Sequence, residues 1–60
     1  MSGAALRRLR KSLGLTQVGL AQLLAVDSNT LARWERDVLP ISGPVALSVR
    51  MLVEKHKRRS

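Results

Sequence analysis

Sixty residues without cysteine, with eleven lysines and arginines against four acids and a net charge of +7, narrow the possibilities for this chain. Such a chain buries only about 60% of its unfolded surface; disulfides and cysteine-based zinc sites are excluded, and His56 alone cannot hold a structural metal. The charge favours a polyanionic partner, nucleic acid ahead of membrane lipid.

Association with a second copy is then the support left to so small a domain. No apolar run approaches the ~20 residues of a transmembrane helix. The start, MSGAALRRLRK, lacks the apolar core of a signal peptide, which fits a cytoplasmic protein. No cysteine nucleophile and no carboxylate pair with a cleft is legible, and one histidine lies in the tail, so no enzyme is expected. No metal, cofactor or small-molecule ligand is expected either. One tryptophan is the sole aromatic, and the remaining apolar residues are mostly Leu, Ala and Val, which suit short helices packed closely.

In chain order, residues 4–13 read as a first helix, with Leu6, Leu9 and Leu13 at helical spacing and Gly14 as its stop. Arg7, Arg8 and Lys11 fall mainly on the opposite side, as either a solvated face or phosphate contacts. A second helix spans 16–24, capped by Thr16, with Leu20, Leu23 and Leu24 as its apolar stripe and the small Ala21 allowing close helix contact. Ala25 and Val26 form a turn. Asp27 is a strong N-cap for a third helix over 28–36, with Leu31 and Trp34 inward and Ser28, Asn29, Ala32, Arg33 and Arg36 outward. The linker DVLPISG contains Pro40, which forbids simple continuation of the helix. Ser42 or Gly43 can cap a fourth helix over 44–57, with Pro44 in its first turn. Val45, Val49, Leu52 and Val53 form one stripe of that helix, and Leu47 and Met51 a second, offset one. The basic tail over 55–60 is expected to fray.

The pattern TQ-x-x-LA-x-LL-x-V-x-x-x-T-L-x-RWER over 16–36, preceded by LRRLRKSLGL, resembles the helix-turn-helix of the lambdoid phage repressor and Cro family, the XRE type. The resemblance implies an all-α, compact four-helix, lambda-repressor-like helix-turn-helix DNA-binding fold, with residues 1–60 as a single domain. It implies that Ser28, Asn29, Ala32 and Arg33 read bases. Arg can bind guanine and Asn adenine in bidentate fashion, and Ala32 suits a thymine methyl. It implies phosphate contacts from Thr16, Gln17, Thr30 and Arg36, with Gln17 foremost because the N–H groups that open a helix suit a phosphate. It also implies a structural ion pair between Arg10 and Glu35.

Three positions and one loop depart from the family pattern. Ala25 stands where the turn usually holds glycine, and so must accept a less favourable backbone or alter the turn. Asp37 replaces the glycine common after the third helix. Gly19 stands where a capping-box Glu is expected, so the second helix should start weakly. The loop DVLPISG has no basic residue, leaving backbone N–H groups at Ser42 and Gly43 as its phosphate contacts.

Val38, Leu39, Ile41, Leu47 and Met51 exceed what four short helices can bury. One reading has some of them close the monomer core; the preferred reading is a dimer interface, since an open apolar patch invites aggregation. The resemblance implies a homodimer on double-stranded DNA with an inverted repeat, acting as a transcriptional repressor that regulates its own operon. Phage genes, plasmids, anti-CRISPR operons and toxin–antitoxin modules all use such proteins. The rival readings are an antitoxin whose helix-turn-helix autoregulates its operon, and the DNA-binding fragment of a larger regulator.

Overall fold

The computed structural model describes residues 1–59, with side chains described through Arg58. It is all-α, with four helices: α1 Gly3–Ser12, α2 Gln17–Leu24, α3 Ser28–Glu35 and α4 Gly43–Arg59. α2, the turn after it and α3 form a helix-turn-helix unit.

Each start has a local cause. At α1, Ser2 is the N-cap and its Oγ accepts from the Ala5 N–H at 3.1 Å, so the helix opens one residue before the sequence-based start. Thr16 caps α2 by accepting from the Gly19 N–H at 3.0 Å, which supplies a bond even without the capping-box acid. Asp27 has N-cap backbone angles but makes no side-chain capping bond, which corrects its expected strength. Ser42, rather than Gly43, caps α4, through a 3.4 Å bond from the Val45 N–H. The tail expected to fray is helical through Arg59, and Ser60 lies outside the described residues.

The first three helices end alike. After α1, Gly14 N–H bonds Lys11 O and Leu15 N–H bonds Arg10 O. After α2, Ala25 N–H bonds Gln22 O and Val26 N–H bonds Ala21 O. After α3, Asp37 N–H bonds Trp34 O and Val38 N–H bonds Arg33 O. These are Schellman motifs, which need a left-handed residue at the reversal. That residue is Gly14 (φ 70°), Ala25 (φ 57°) and Asp37 (φ 59°), so glycine supplies one reversal of three.

Leu6, Leu20, Ala21, Leu31, Trp34 and Val49 form the buried core, with one or more residues from every helix. Leu9, Leu15, Leu24, Val26, Val45 and Leu52 pack around it half-buried. α3 packs on both α1 and α2, and α4 packs on α1. Burying a Leu or Val side chain contributes about 1.5–3 kcal/mol, so this small set carries much of the fold. Leu23 corrects the expected α2 stripe: it is 59% exposed. Next to the last residue of α2, it lies on the side that faces Met51 and Leu52 of α4 across open space.

Candidate nucleic-acid interface

The outer face of α3 follows from its period. At about 100° per residue, Ser28, Ala32 and Arg36 share one line, with Asn29 and Arg33 beside it. Leu31 and Trp34 fall on the opposite side, where they are 0% and 9% exposed. Asn29, Arg33 and Arg36 are exposed, and Ser28, Thr30 and Ala32 are half-exposed. The helix thus presents a polar strip of amide, hydroxyl and guanidinium groups while its other side is locked into the core.

A buried polar cluster sets the orientation of that strip. Arg10 Nε donates to Glu35 Oε2 at 2.6 Å and its terminal nitrogen to Glu35 Oε1 at 3.2 Å. The other Arg10 nitrogen donates to the Leu15 carbonyl at 3.0 Å. Gln17 Nε2 adds a third bond to the carboxylate, at 3.1 Å. The Arg10 and Glu35 side chains are 11% and 4% exposed, and no buried side-chain polar atom among the described residues lacks a partner. One carboxylate therefore ties α1, α2 and the turn between them to the end of α3. Burial is the largest single influence on Glu35 and opposes its charge. Hydrogen bonds from Arg10 and Gln17, with the charges of Arg10 and Arg7, outweigh it and hold the carboxyl below its ordinary pKa.

Gln17 is therefore half-buried and already spends a donor on Glu35, a link that the sequence does not advertise. Its amide carries a second N–H that this bond leaves unspent. Thr16 spends its hydroxyl oxygen on the α2 cap. Thr30 sits on α3 between the core side and the outer strip. Ser42 and Gly43 are exposed where α4 opens; beyond them Pro44 has no N–H, and the Val45 N–H is taken by Ser42 Oγ.

A second lock joins the N-terminus of α1 to the C-terminus of α3. The Gly3 N–H donates to Asp37 Oδ1 at 2.8 Å. A Cβ at Gly3 would lie 2.4 Å from the Glu35 carbonyl oxygen and 2.5 Å from that of Trp34, so only glycine permits this approach. Asp37 thus both accepts the left-handed conformation and anchors α1. Sequence reading marks Asp37 as the stand-in for glycine but misses its tie to Gly3: no motif marks Gly3, and only the Ser before it hints that a helix opens there.

The apolar residues left over are distributed unevenly. Val38, Leu47 and Met51 are 63%, 59% and 61% exposed, and Leu39 is 37% exposed. Ile41 is different: it packs half-buried against the core, as the alternative reading of this group has it. Leu23 takes its place on the surface. With Met51 and Leu52 it lines a hollow of about 680 Å³ between α2 and α4, rimmed by Glu54, Lys55 and Arg58.

Among the described residues no three His, Asp or Glu side chains cluster as metal ligands, and no helix is long and apolar enough to cross a membrane. Over 46 residues, 77% of its length, the chain is 50% identical to the HTH-type transcriptional regulator PrpR of Mycobacterium tuberculosis. The matched stretch covers 10% of that protein, so this chain spans about a tenth of its relative's length. No solved structure matches it significantly. A family model described as a helix-turn-helix domain matches residues 3–49, a span that contains the α2–turn–α3 unit and the polar cluster behind it, and the chain belongs to that family.

Proposed function

We propose that this chain is a sequence-specific DNA-binding transcriptional repressor of the XRE type, working as a homodimer on an inverted repeat and regulating its own operon. The observation that carries this reading is the outward strip of α3, Ser28, Asn29, Ala32 and Arg33, held from behind by the Arg10–Glu35–Gln17 cluster in a chain of charge +7. A base-reading helix gains specificity only if its side chains reach the groove in one register. The ties from Glu35 to two other helices supply that register.

Positioning falls to Gln17 and Thr16 at the start of α2, to Thr30 and Arg36 on α3, and to the N–H groups of Ser42 and Gly43. These groups meet phosphates and carry no base information. Two subunits joined through Val38, Leu39, Leu47 and Met51 place their recognition helices about 34 Å apart, in successive major grooves on one side of the duplex. Repression then needs no further chemistry, because an operator that overlaps a promoter excludes polymerase when occupied.

One observation favours a second reading, in which this domain is the DNA-binding part of a larger regulator: the matched relative is about ten times the length of the shared region. The role of α3 is the same in both readings.

The test is binding of wild type and Arg33→Ala to duplexes varied one base pair at a time. Arg33→Ala is expected to relax preference at one position per half-site, costing about 1–3 kcal/mol there. A uniform loss across all sequences would make Arg33 a phosphate contact and remove it from the readers. Gln17→Ala is expected to do the reverse, weakening every sequence alike.

A further inference from the structure

The cationic side of α1 has no part in the base-reading scheme. Arg7, Arg8 and Lys11 are exposed there, and together with Arg36 of the α3 end they line a hollow of about 410 Å³. The two carboxylates in its wall, Glu35 and Asp37, are already committed. Glu35 is held by Arg10 and Gln17, and Asp37 Oδ1 accepts from the Gly3 N–H. Among the described residues no hydrogen bond or ion pair engages the side chains of Arg7, Arg8, Lys11 or Arg36, and Arg7 acts on Glu35 through its charge alone.

A solvated face spreads like charges apart, whereas here the packing of α1 on α3 brings Arg36 beside the cations of α1 around one concavity. Such a concavity raises the local concentration of anions. Its position matters as much as its charge. Arg36 belongs both to this hollow and to the outward strip of α3, so an anion seated here is continuous with whatever α3 meets. A helix lying in the major groove leaves that groove past a sugar–phosphate strand.

We propose that this hollow seats phosphodiester groups of the duplex flanking the base-read half-site. Arg7, Arg8 and Lys11 contact the phosphates, and Arg36 joins this edge to the recognition face. The proposal rests on the DNA-binding reading and extends it. It makes α1 a second phosphate-binding element and compensates for the uncharged α3–α4 loop, where no basic residue lies between Asp37 and Gly43.

The test uses the double variant Arg8→Gln/Lys11→Gln, which spares Arg7 because that charge acts on Glu35. Affinity is measured against salt on two duplexes, one trimmed to the selected site and one extended by a helical turn on each side. Wild type is expected to prefer the extended duplex, and the variant to lose that preference. The slope of log affinity against log salt is expected to flatten by about 0.9 for each lost contact. Base preference should not change, and the charge-preserving Arg8→Lys/Lys11→Arg should behave as wild type. An unchanged slope on the extended duplex, or a shifted base preference, overturns the phosphate assignment while leaving DNA binding intact. If wild type binds neither duplex, both readings fall. A thermal melt accompanies each variant, and if the double variant is destabilised the single Lys11→Gln variant is held to the same criteria.

Discussion

The junction of α1 with α3 and the face shared by α2 and α4 are built on opposite terms. At the junction every buried polar atom is partnered, backbones touch at Gly3, and two independent ties, Arg10–Glu35 and Gly3–Asp37, fix one geometry. On the other face Leu23, Leu47 and Met51 stand more than half exposed. The contrast puts rigidity on the side that aims α3 and leaves open apolar surface on the other, where the proposed second subunit would pack.

The largest effect on folding is expected from Glu35→Ala. It leaves Arg10, 11% exposed, without its counter-charge, at about 3–5 kcal/mol. Chemical denaturation measures it, and Arg10→Met with Glu35→Leu is expected to recover most of the loss. The same residue gives the junction a pH signature. Because the folded-state pKa of Glu35 is depressed, its stabilisation is complete above the ordinary glutamate value of about 4.3 and is lost as pH falls through the native value. Glu35→Gln is therefore expected to differ most from wild type above that range and to converge with it in acid. A constant difference at all pH values would contradict the cluster's ionic character.

Gly3→Ala comes next. The added methyl would overlap the carbonyl oxygens of Trp34 and Glu35, and overpacking of this kind costs about 1–3 kcal/mol. DNA affinity should fall further than stability alone explains, since α1 can no longer approach α3. Ala25→Gly acts in the other direction. Its left-handed backbone, φ 57°, is strained for alanine, and relief is expected to raise stability by about 1 kcal/mol. A loss there would mean that the Ala25 methyl makes a packing contact that outweighs the strain. Smallest on the fold are Leu47→Glu and Met51→Glu, both exposed, with changes within about 0.5 kcal/mol. Their effect should instead appear in sedimentation, as monomers. A dimer that persists would move the interface away from α4.

Much of this architecture was legible in the sequence because it rests on period and punctuation. Leu6, Leu20, Leu31 and Trp34 fall at helical spacing, and Gly14 marks a reversal. What escaped sequence reading depends on where separate helices meet. Leu23 satisfies the α2 stripe as well as Leu24 does, yet Leu24 packs against the core and Leu23 stays exposed, which spacing alone does not decide. Ile41 and Val38 look alike in a loop, but Ile41 alone meets the core. Gln17 reads as a free amide at a helix start, and its bond to Glu35 needs the whole turn to be in place. The roles of Gly3 and Asp37 lie 34 residues apart in sequence and are visible only as a pair.

The central claim, that a rigidly aimed α3 reads DNA in pairs, is tested most directly by selecting bound duplexes from a random pool. The account predicts a palindromic consensus whose half-sites repeat about one helical turn apart, with one position in each half-site lost in Arg33→Ala. Recovery of unenriched sequences, or of a single asymmetric site that Arg33→Ala leaves unchanged, would contradict it.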